Sequence, residues 1–332
     1  MSDLKNTQIV LAKTPEGTPV PSDFTTRSVE VTPPKAGEVL VKNLYLSLDP
    51  YMRSQIAGRH LSGAITPGDL MKGETIAEVV QSEDPAFSAG DIVRGFGGWQ
   101  EYAVMDGKTL SAVHAPVDNN AAYLSALGTT GLTAWAGIVC TAKPAPGDVV
   151  VIPAATGGVG ATAAQLAKLY GCKVVGIAGG KEKCDKAVKE IGYDICLDRK
   201  AGDIAEQLKA ACPDGINVYF DLVGGELLNT VSSQLAVGAR VVLCGIMSEL
   251  NSTSRAGGPH PAMWIKSRAQ VTGLVVYDYE PRRAEFVEYC LPHYLNGKLK
   301  TFEDVSQGLA SAPDAFCRLM RGENTGKVIV EI

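Results

Sequence analysis

Apolar residues fall into two textures along this chain. Up to about residue 120 they form short alternating runs punctuated by Pro and Gly, the period-two pattern of half-buried strands. Residues 38–45, 75–81, 91–96 and 100–104 are the strand candidates there. From about residue 125 the texture becomes α/β. Strand candidates at 149–152, 173–178, 193–197, 217–222, 239–244 and 270–276 are separated by helical or loop segments, as in a doubly wound parallel sheet. The closing stretch 326–332 reads as a strand with no helix after it, which fits a chain that leaves the β-rich part and returns to it. No internal repeat and no low-complexity segment interrupts this plan.

The most informative junction is 153–160, Pro-Ala-Ala-Thr-Gly-Gly-Val-Gly. It follows the aliphatic run 149–152, a buried parallel strand by pattern. It opens a helical stretch in which Ala164, Leu166, Ala167 and Leu169 recur near helical spacing and Gly171 is a C-cap candidate. Strand, tight turn and helix form the context of a dinucleotide fingerprint, here Ala-x-Gly-x-x-Gly, with Ala155 standing where the first Gly is usual. Gly157 lets backbone amides approach a pyrophosphate, and Gly160 lets the helix sit close to the strand. The helix N-terminus adds free N–H groups and a positive dipole end. Thr156, Gly157, Gly158, Val159 and Gly160 are therefore candidate coenzyme contacts; a plain glycine-rich turn is the other reading.

The residues after the second strand discriminate between coenzymes. No carboxylate for an unphosphorylated ribose follows 173–178. Gly179 and Gly180 stand there with Lys181 and Lys183, and Arg199 and Lys200 follow the next strand candidate. A 2′-phosphate needs room and positive charge. Gly180, Lys183 and Arg199 thus point to NADP(H), against the alternative of a solvated basic turn.

Composition adds exclusions. The 332 residues suit two domains, and 45% hydrophobic with 20% charged residues is ordinary for a globular protein. Thirty-one basic and 36 acidic residues are well mixed, giving a net charge of −5, so no nucleic-acid or anionic-membrane surface is expected. The N-terminus lacks an apolar signal core and no run approaches membrane-spanning length, so a cytoplasmic protein is expected. Eight cysteines, none in a Cys-x-x-Cys pair, and four scattered histidines (His60, His114, His260, His293) give no expectation of a metal or a disulfide framework.

Several strings together resemble the medium-chain dehydrogenase/reductases. They are Leu-Tyr-Leu-Ser-Leu-Asp-Pro-Tyr-Met-Arg at 44–53, Leu-Gly-Thr-Thr-Gly-Leu-Thr-Ala at 127–134, the loop at 154–160 and Phe-Asp-Leu-Val-Gly-Gly-Glu at 220–226. The stretch from Leu243 to Asn251, then 273–276 and 323–328, complete the set. The likeness runs almost end to end, and is closest to the zinc-free branch of leukotriene B4 dehydrogenase/prostaglandin reductase, plant double-bond reductases and curcumin reductase. It implies a Rossmann NADP-binding domain over 123–302 and a GroES-like catalytic domain built from 1–122 and 303–332. It also implies a homodimer, paired through the edge strand at 270–277. The expected activity is NADPH-dependent reduction of the C=C bond of α,β-unsaturated ketones or aldehydes, by hydride transfer to the β-carbon. Where zinc enzymes of the superfamily carry Gly-His-Glu, this chain reads Lys72-Gly73-Glu74. Charge developing on the enolate oxygen then needs hydrogen-bond donors in place of a metal.

The resemblance assigns Lys183 to the 2′-phosphate, Gly157 to Gly160 to the pyrophosphate, and Asn251 and Asn324 to the coenzyme, Asn324 near the nicotinamide. Tyr51 would line the substrate pocket and donate a hydrogen bond; simple packing after Pro50 is its alternative, and turn formation is that of the two asparagines. Two positions depart from the family. Lys266 stands where relatives carry a tyrosine proposed as proton donor, and it is either a donor to the enolate or a surface charge. Arg199 replaces a tyrosine against the phosphorylated ribose. Trp264 and Tyr277 or Tyr279 are further pocket candidates. Two other activities stay open: a zinc-free NADP-dependent carbonyl, secondary-alcohol or quinone oxidoreductase, and a non-catalytic NADPH-binding scaffold.

Overall fold

A computed structural model describes residues 4–113, 119–252, 254 and 256–332. His114, part of the N-terminal stretch and part of the 252–262 loop, named above, lie outside them. The chain divides into two compact units, one of residues 1–124 with 303–332 and one of residues 125–302.

The first unit begins with an antiparallel pair, β1 (Lys5–Leu11) and β2 (Phe24–Glu30). Then come β3 (Glu38–Ser47), the short helix α1 (Tyr51–Ile56), β4 (Thr75–Ser82), β5 (Ile92–Gly95), β6 (Tyr102–Asp106) and β7 (Ser111–Ala112). Alternation is visible in β4, where Ile76, Ala77 and Val79 are buried while Glu78 and Val80 are exposed.

The second unit opens with α2 (Thr129–Trp135), which continues as a π-helical stretch to Ala142. The alternation that follows is β8 (Val149–Pro153), α3 (Gly158–Leu169), β9 (Lys173–Ala178), α4 (Lys181–Lys186) and β10 (Ile195–Asp198). It continues with α5 (Ile204–Ala211), β11 (Ile216–Asp221), α6 (Gly225–Ser232), β12 (Leu235–Leu243), α7 (Pro261–Ser267), β13 (Gln270–Gly273) and α8 (Arg283–Leu295). The six strands are parallel in the order β10-β9-β8-β11-β12-β13. This is the doubly wound order 3-2-1-4-5-6, whose reversal between β8 and β11 opens a crevice at the carboxyl ends of the strands. Valine-rich β8 has helices on both faces to bury it, which explains an apolar run without alternation.

The chain then returns to the first unit with β14 (Glu303–Gln307), α9 (Ala312–Met320) and β15 (Lys327–Glu331). β15 pairs antiparallel with β3 and parallel with β14, at one end of a seven-stranded sheet. Phe316 of α9 packs edge-on to Phe24 and Trp99 within one apolar cluster, which holds the terminal segment to the N-terminal strands. No described helix is long and apolar enough to cross a membrane.

Candidate functional site

The loop between β8 and α3 turns on Ala154, whose φ of +51° is a left-handed conformation that non-glycine residues rarely adopt. Its carbonyl points back across the loop and accepts the Gly157 N–H at 2.9 Å. A Cβ on residue 160 would lie 2.5 Å from that oxygen, and one on residue 157 would lie 3.2 Å away. One carbonyl therefore dictates both fingerprint glycines. Ala155 is fully buried, and the room that a glycine would give at this position comes from β9. A Cβ on Gly176 would sit 2.8 Å from the Ala155 Cβ and 2.9 Å from the Tyr193 ring.

Gly157 caps α3 in extended conformation, with no side-chain cap hydrogen bond. A Ser or Asp cap would consume first-turn amides; here those of Gly158, Val159 and Gly160 are offered, with the dipole, to an anion. Thr156 is buried beside them.

At the ends of β9 and β10 a second turn forms. Gly180 has φ +106°, and its amide donates to Asp198 Oδ1 at 2.7 Å, as Lys200 N does at 2.9 Å. The Lys200 and Gly180 amides hold the Asp198 carboxyl below its usual range. That carboxylate is thus committed to backbone. The exposed Arg199 guanidinium lies against Gly179, since a Cβ there would be 3.2 Å from its Nε and Nη2. Lys183, half-buried, stands in the first turn of α4. Bare backbone at 157–160 and two cations flanking a glycine pair fit a dinucleotide with a phosphorylated ribose.

Sequence reading did not single out Asp221, which organises the loops after β11 and β12. It is 1% exposed; its Oδ1 accepts from Tyr219 Oη (2.9 Å), Val223 N (3.0 Å) and Gly224 N (2.9 Å). Its backbone oxygen accepts from Cys244 N and Gly245 N. Burial raises its pKa, against the lowering effect of the hydrogen bonds it accepts. Between these loops lies a cavity of about 250 Å³ lined by Asp221, Gly224, Leu243, Gly245, Ile246 and Gly257 among others. The signal was a carboxylate ending an apolar strand. Asn251, half-buried, follows a 3₁₀ turn beyond β12.

In the first unit Tyr51 is the first residue of α1, half-buried, its ring 5.1 Å from that of His60. The segment before it is pinned by Lys327 of β15, another residue the pattern did not reveal. Its ammonium donates to Leu48 O (2.6 Å), Asp49 Oδ1 (2.9 Å) and Val328 O (3.2 Å), with the side chain 3% exposed. The Asn324 amide donates to Gly326 O at 2.8 Å, within its own turn. Glu74 is ion-paired with Arg94.

Of the remaining candidates, Trp264 of α7 donates its indole N–H to Ser232 Oγ at the end of α6, 3.2 Å away. Lys266, on the same helix, is exposed. Tyr277 is half-buried in the 3₁₀ segment after β13, and Tyr279 there contacts the Thr141 hydroxyl at 3.1 Å. Within the second unit the structure gathers Thr156 to Gly160, Gly180, Lys183 and Arg199 at the carboxyl ends of β8, β9 and β10. Among the described residues no three His, Cys, Asp or Glu side chains form a metal-ligand group.

Residues 7–113 match the family described as the N-terminal domain of oxidoreductase, and 158–290 the family described as zinc-binding dehydrogenase. The chain is 39% identical to the NADPH-dependent curcumin reductase of Escherichia coli (strain K12), over 99% of this chain and 97% of that protein. The chain belongs to the medium-chain dehydrogenase/reductases, in their curcumin and alkenal reductase branch. Within this branch the NADP(+)-dependent 2-alkenal reductase of Nicotiana tabacum is 36% identical, over 99% of this chain and 98% of its own. A crystal structure of CurA from Vibrio vulnificus in complex with NADPH superposes with a TM-score of 0.92 at 37% identity, covering 98% of each chain. The medium-chain fold, a parallel Rossmann sheet with a separate β-rich domain, is the one described above.

Proposed function

We propose that the protein uses NADPH to saturate the C=C bond of α,β-unsaturated ketones or aldehydes, by hydride transfer to the β-carbon and without a metal. The observation that carries this reading is the pairing of Lys183 and Arg199 about Gly179 and Gly180, beside a helix N-terminus with no side-chain cap. The substrate class draws on the curcumin and 2-alkenal reductase relatives. When bound, NADPH supplies the hydride. The amides of Gly157 to Gly160 hold the pyrophosphate, with Thr156 and Gly180 beside it, and Lys183 and Arg199 hold the 2′-phosphate. Asn251 and Asn324 lie against the coenzyme, Asn324 by the nicotinamide. Tyr51 and Lys266 are the candidate donors to the enolate oxygen, and Trp264 and Tyr277 line the substrate pocket.

Metal-free chemistry is supported by two carboxylates near the positions where zinc enzymes of the superfamily carry ligands. Glu74 is neutralised by Arg94, and Asp49 by Lys327. A homodimer paired through β13, an edge strand of its sheet, and a cytoplasmic setting, in keeping with eight unpaired cysteines, belong to the same proposal.

The test is product analysis with NADPH deuterated at C4 and a simple enone. Saturated ketone with deuterium at the β-carbon, formed faster with NADPH than with NADH, is the expected result. Allylic alcohol as the sole product would overturn it in favour of carbonyl reduction. Tight NADPH binding without turnover of any enone or quinone would identify a scaffold.

A further inference from the structure

Two thiols meet beneath the turn that carries Lys183 and Arg199. Cys184 follows Lys183 on α4, and Cys196 lies in β10 three residues before Arg199. Their side chains are hydrogen-bonded to each other across the α4–β10 packing. Cys184 is buried and Cys196 partly exposed, and neither is in a disulfide. The same two elements are joined a second time, by the Gly180 amide on Asp198.

We propose that Cys184 and Cys196 form a dithiol whose oxidation to a disulfide by a hydroperoxide alters recognition of the coenzyme's 2′-phosphate. Cys196, the more accessible, reacts first: its sulfur takes one oxygen from the peroxide, giving a sulfenic acid and water (or an alcohol). The Cys184 thiol then attacks that sulfur, the S–S bond forms, the S–O bond breaks, and a second water leaves with the thiol proton. Two thiols have lost two electrons, and the peroxide O–O bond has gained them. A disulfide holds its sulfurs about 2.0 Å apart, far closer than a hydrogen-bonded pair of thiols. Its formation therefore draws α4 onto β10 and moves Lys183 relative to Arg199. Burial raises both thiols above their ordinary range, so little thiolate exists at neutral pH and oxidation is slow.

The coupling to coenzyme rests on the 2′-phosphate reading; the disulfide itself does not. The full-length protein is exposed to millimolar hydrogen peroxide, alkylated, digested without reductant and examined by mass spectrometry. In parallel, KM is measured for NADPH and NADH before oxidation, after it, and after dithiothreitol. The expected result is a cross-linked Cys184–Cys196 peptide. With it the NADPH KM changes by about tenfold, the equivalent of one charge-assisted contact, while the NADH KM changes little. Dithiothreitol should reverse the change, and Cys196→Ser, or Cys184→Ala should that variant fold better, should abolish it. Both thiols alkylated or separately over-oxidised, with no cross-link, would overturn the dithiol. A cross-link that leaves both KM values unchanged would overturn the coupling. A reduced enzyme with no preference for NADPH would instead sink the 2′-phosphate reading, while peptide mapping still decides the disulfide.

Discussion

Replacing Lys327 by Met tests how the segment that leads into Tyr51 is held. The ammonium is buried and spends its three protons on Leu48 O, Asp49 Oδ1 and Val328 O. Methionine has nearly the same length, so the cavity left behind is small. What remains is the Asp49 carboxylate, 12% exposed at its side chain, with the Ser47 hydroxyl as its other partner but no countercharge. Orphaning one member of a buried pair costs about 3–5 kcal/mol, a large share of the roughly 5–15 kcal/mol that holds a typical domain. Urea unfolding followed by tryptophan fluorescence reads this, because Trp99 lies in the core of the same unit. The midpoint should fall in Lys327→Met and recover by more than half when Asp49→Asn is added, since the second change removes the stranded charge. Tyr51 begins α1 two residues after Asp49, so the KM for enone should rise more than that for NADPH. A loss below about 1 kcal/mol, or a double variant that is simply additive, would refute the argument.

Three further outcomes follow from the second unit. Gly160→Ala places a Cβ 2.5 Å from the Ala154 carbonyl; because backbone cannot swing aside, the NADPH Kd from fluorescence titration should rise about tenfold or more. Lys183→Ala should raise the NADPH KM about ten- to a hundredfold and leave the NADH KM nearly unchanged, and equal effects on both would defeat the 2′-phosphate assignment. Asp221 has a carboxyl pKa raised by burial. Its contribution to stability is full below the ordinary carboxylate pKa and is lost as pH rises through the raised value. Asp221→Asn keeps an acceptor for Val223 and Gly224, so its urea midpoint relative to the parent should improve between about pH 4 and pH 7; a difference independent of pH would contradict the sign.

Much of the doubly wound unit was legible because its signals are local. β9 spans 173–178 as the pattern predicts, and β8, α3 and Gly171 follow from an aliphatic run, a glycine turn and a left-handed cap. Local signals also explain the misses. β13 stops at Gly273 rather than running to 276, because the chain turns into a 3₁₀ segment containing Pro281. β12 starts at Leu235, before the expected 239, in a stretch with Val237 and Gly238 exposed that shows no buried-strand pattern. β14, Glu-Asp-Val-Ser-Gln, is too polar to announce a strand and exists because β15 offers it hydrogen bonds. The pairing of Lys327 with Asp49 joins residues 278 apart, and no spacing rule reaches that far. The glycine fingerprint and the basic turn at 180–199 were readable as coenzyme chemistry. The Asp221 brace was not, because its partners are backbone amides and a tyrosine that only folding brings to it.

The contact between Ala155 and Gly176 has a consequence for how such chains evolve and how they are edited. The methyl group belongs to one position and the vacancy to the other, so the pair behaves as a single inherited unit spread over two strands. Transplanting the 153–160 loop into a relative with a larger residue at 176 would import a collision, and restoring a glycine at 155 alone would open an empty pocket in the middle of the sheet. Only exchanges that move both positions together preserve the site, which makes 155 and 176 a pair to mutate jointly in any redesign of coenzyme preference.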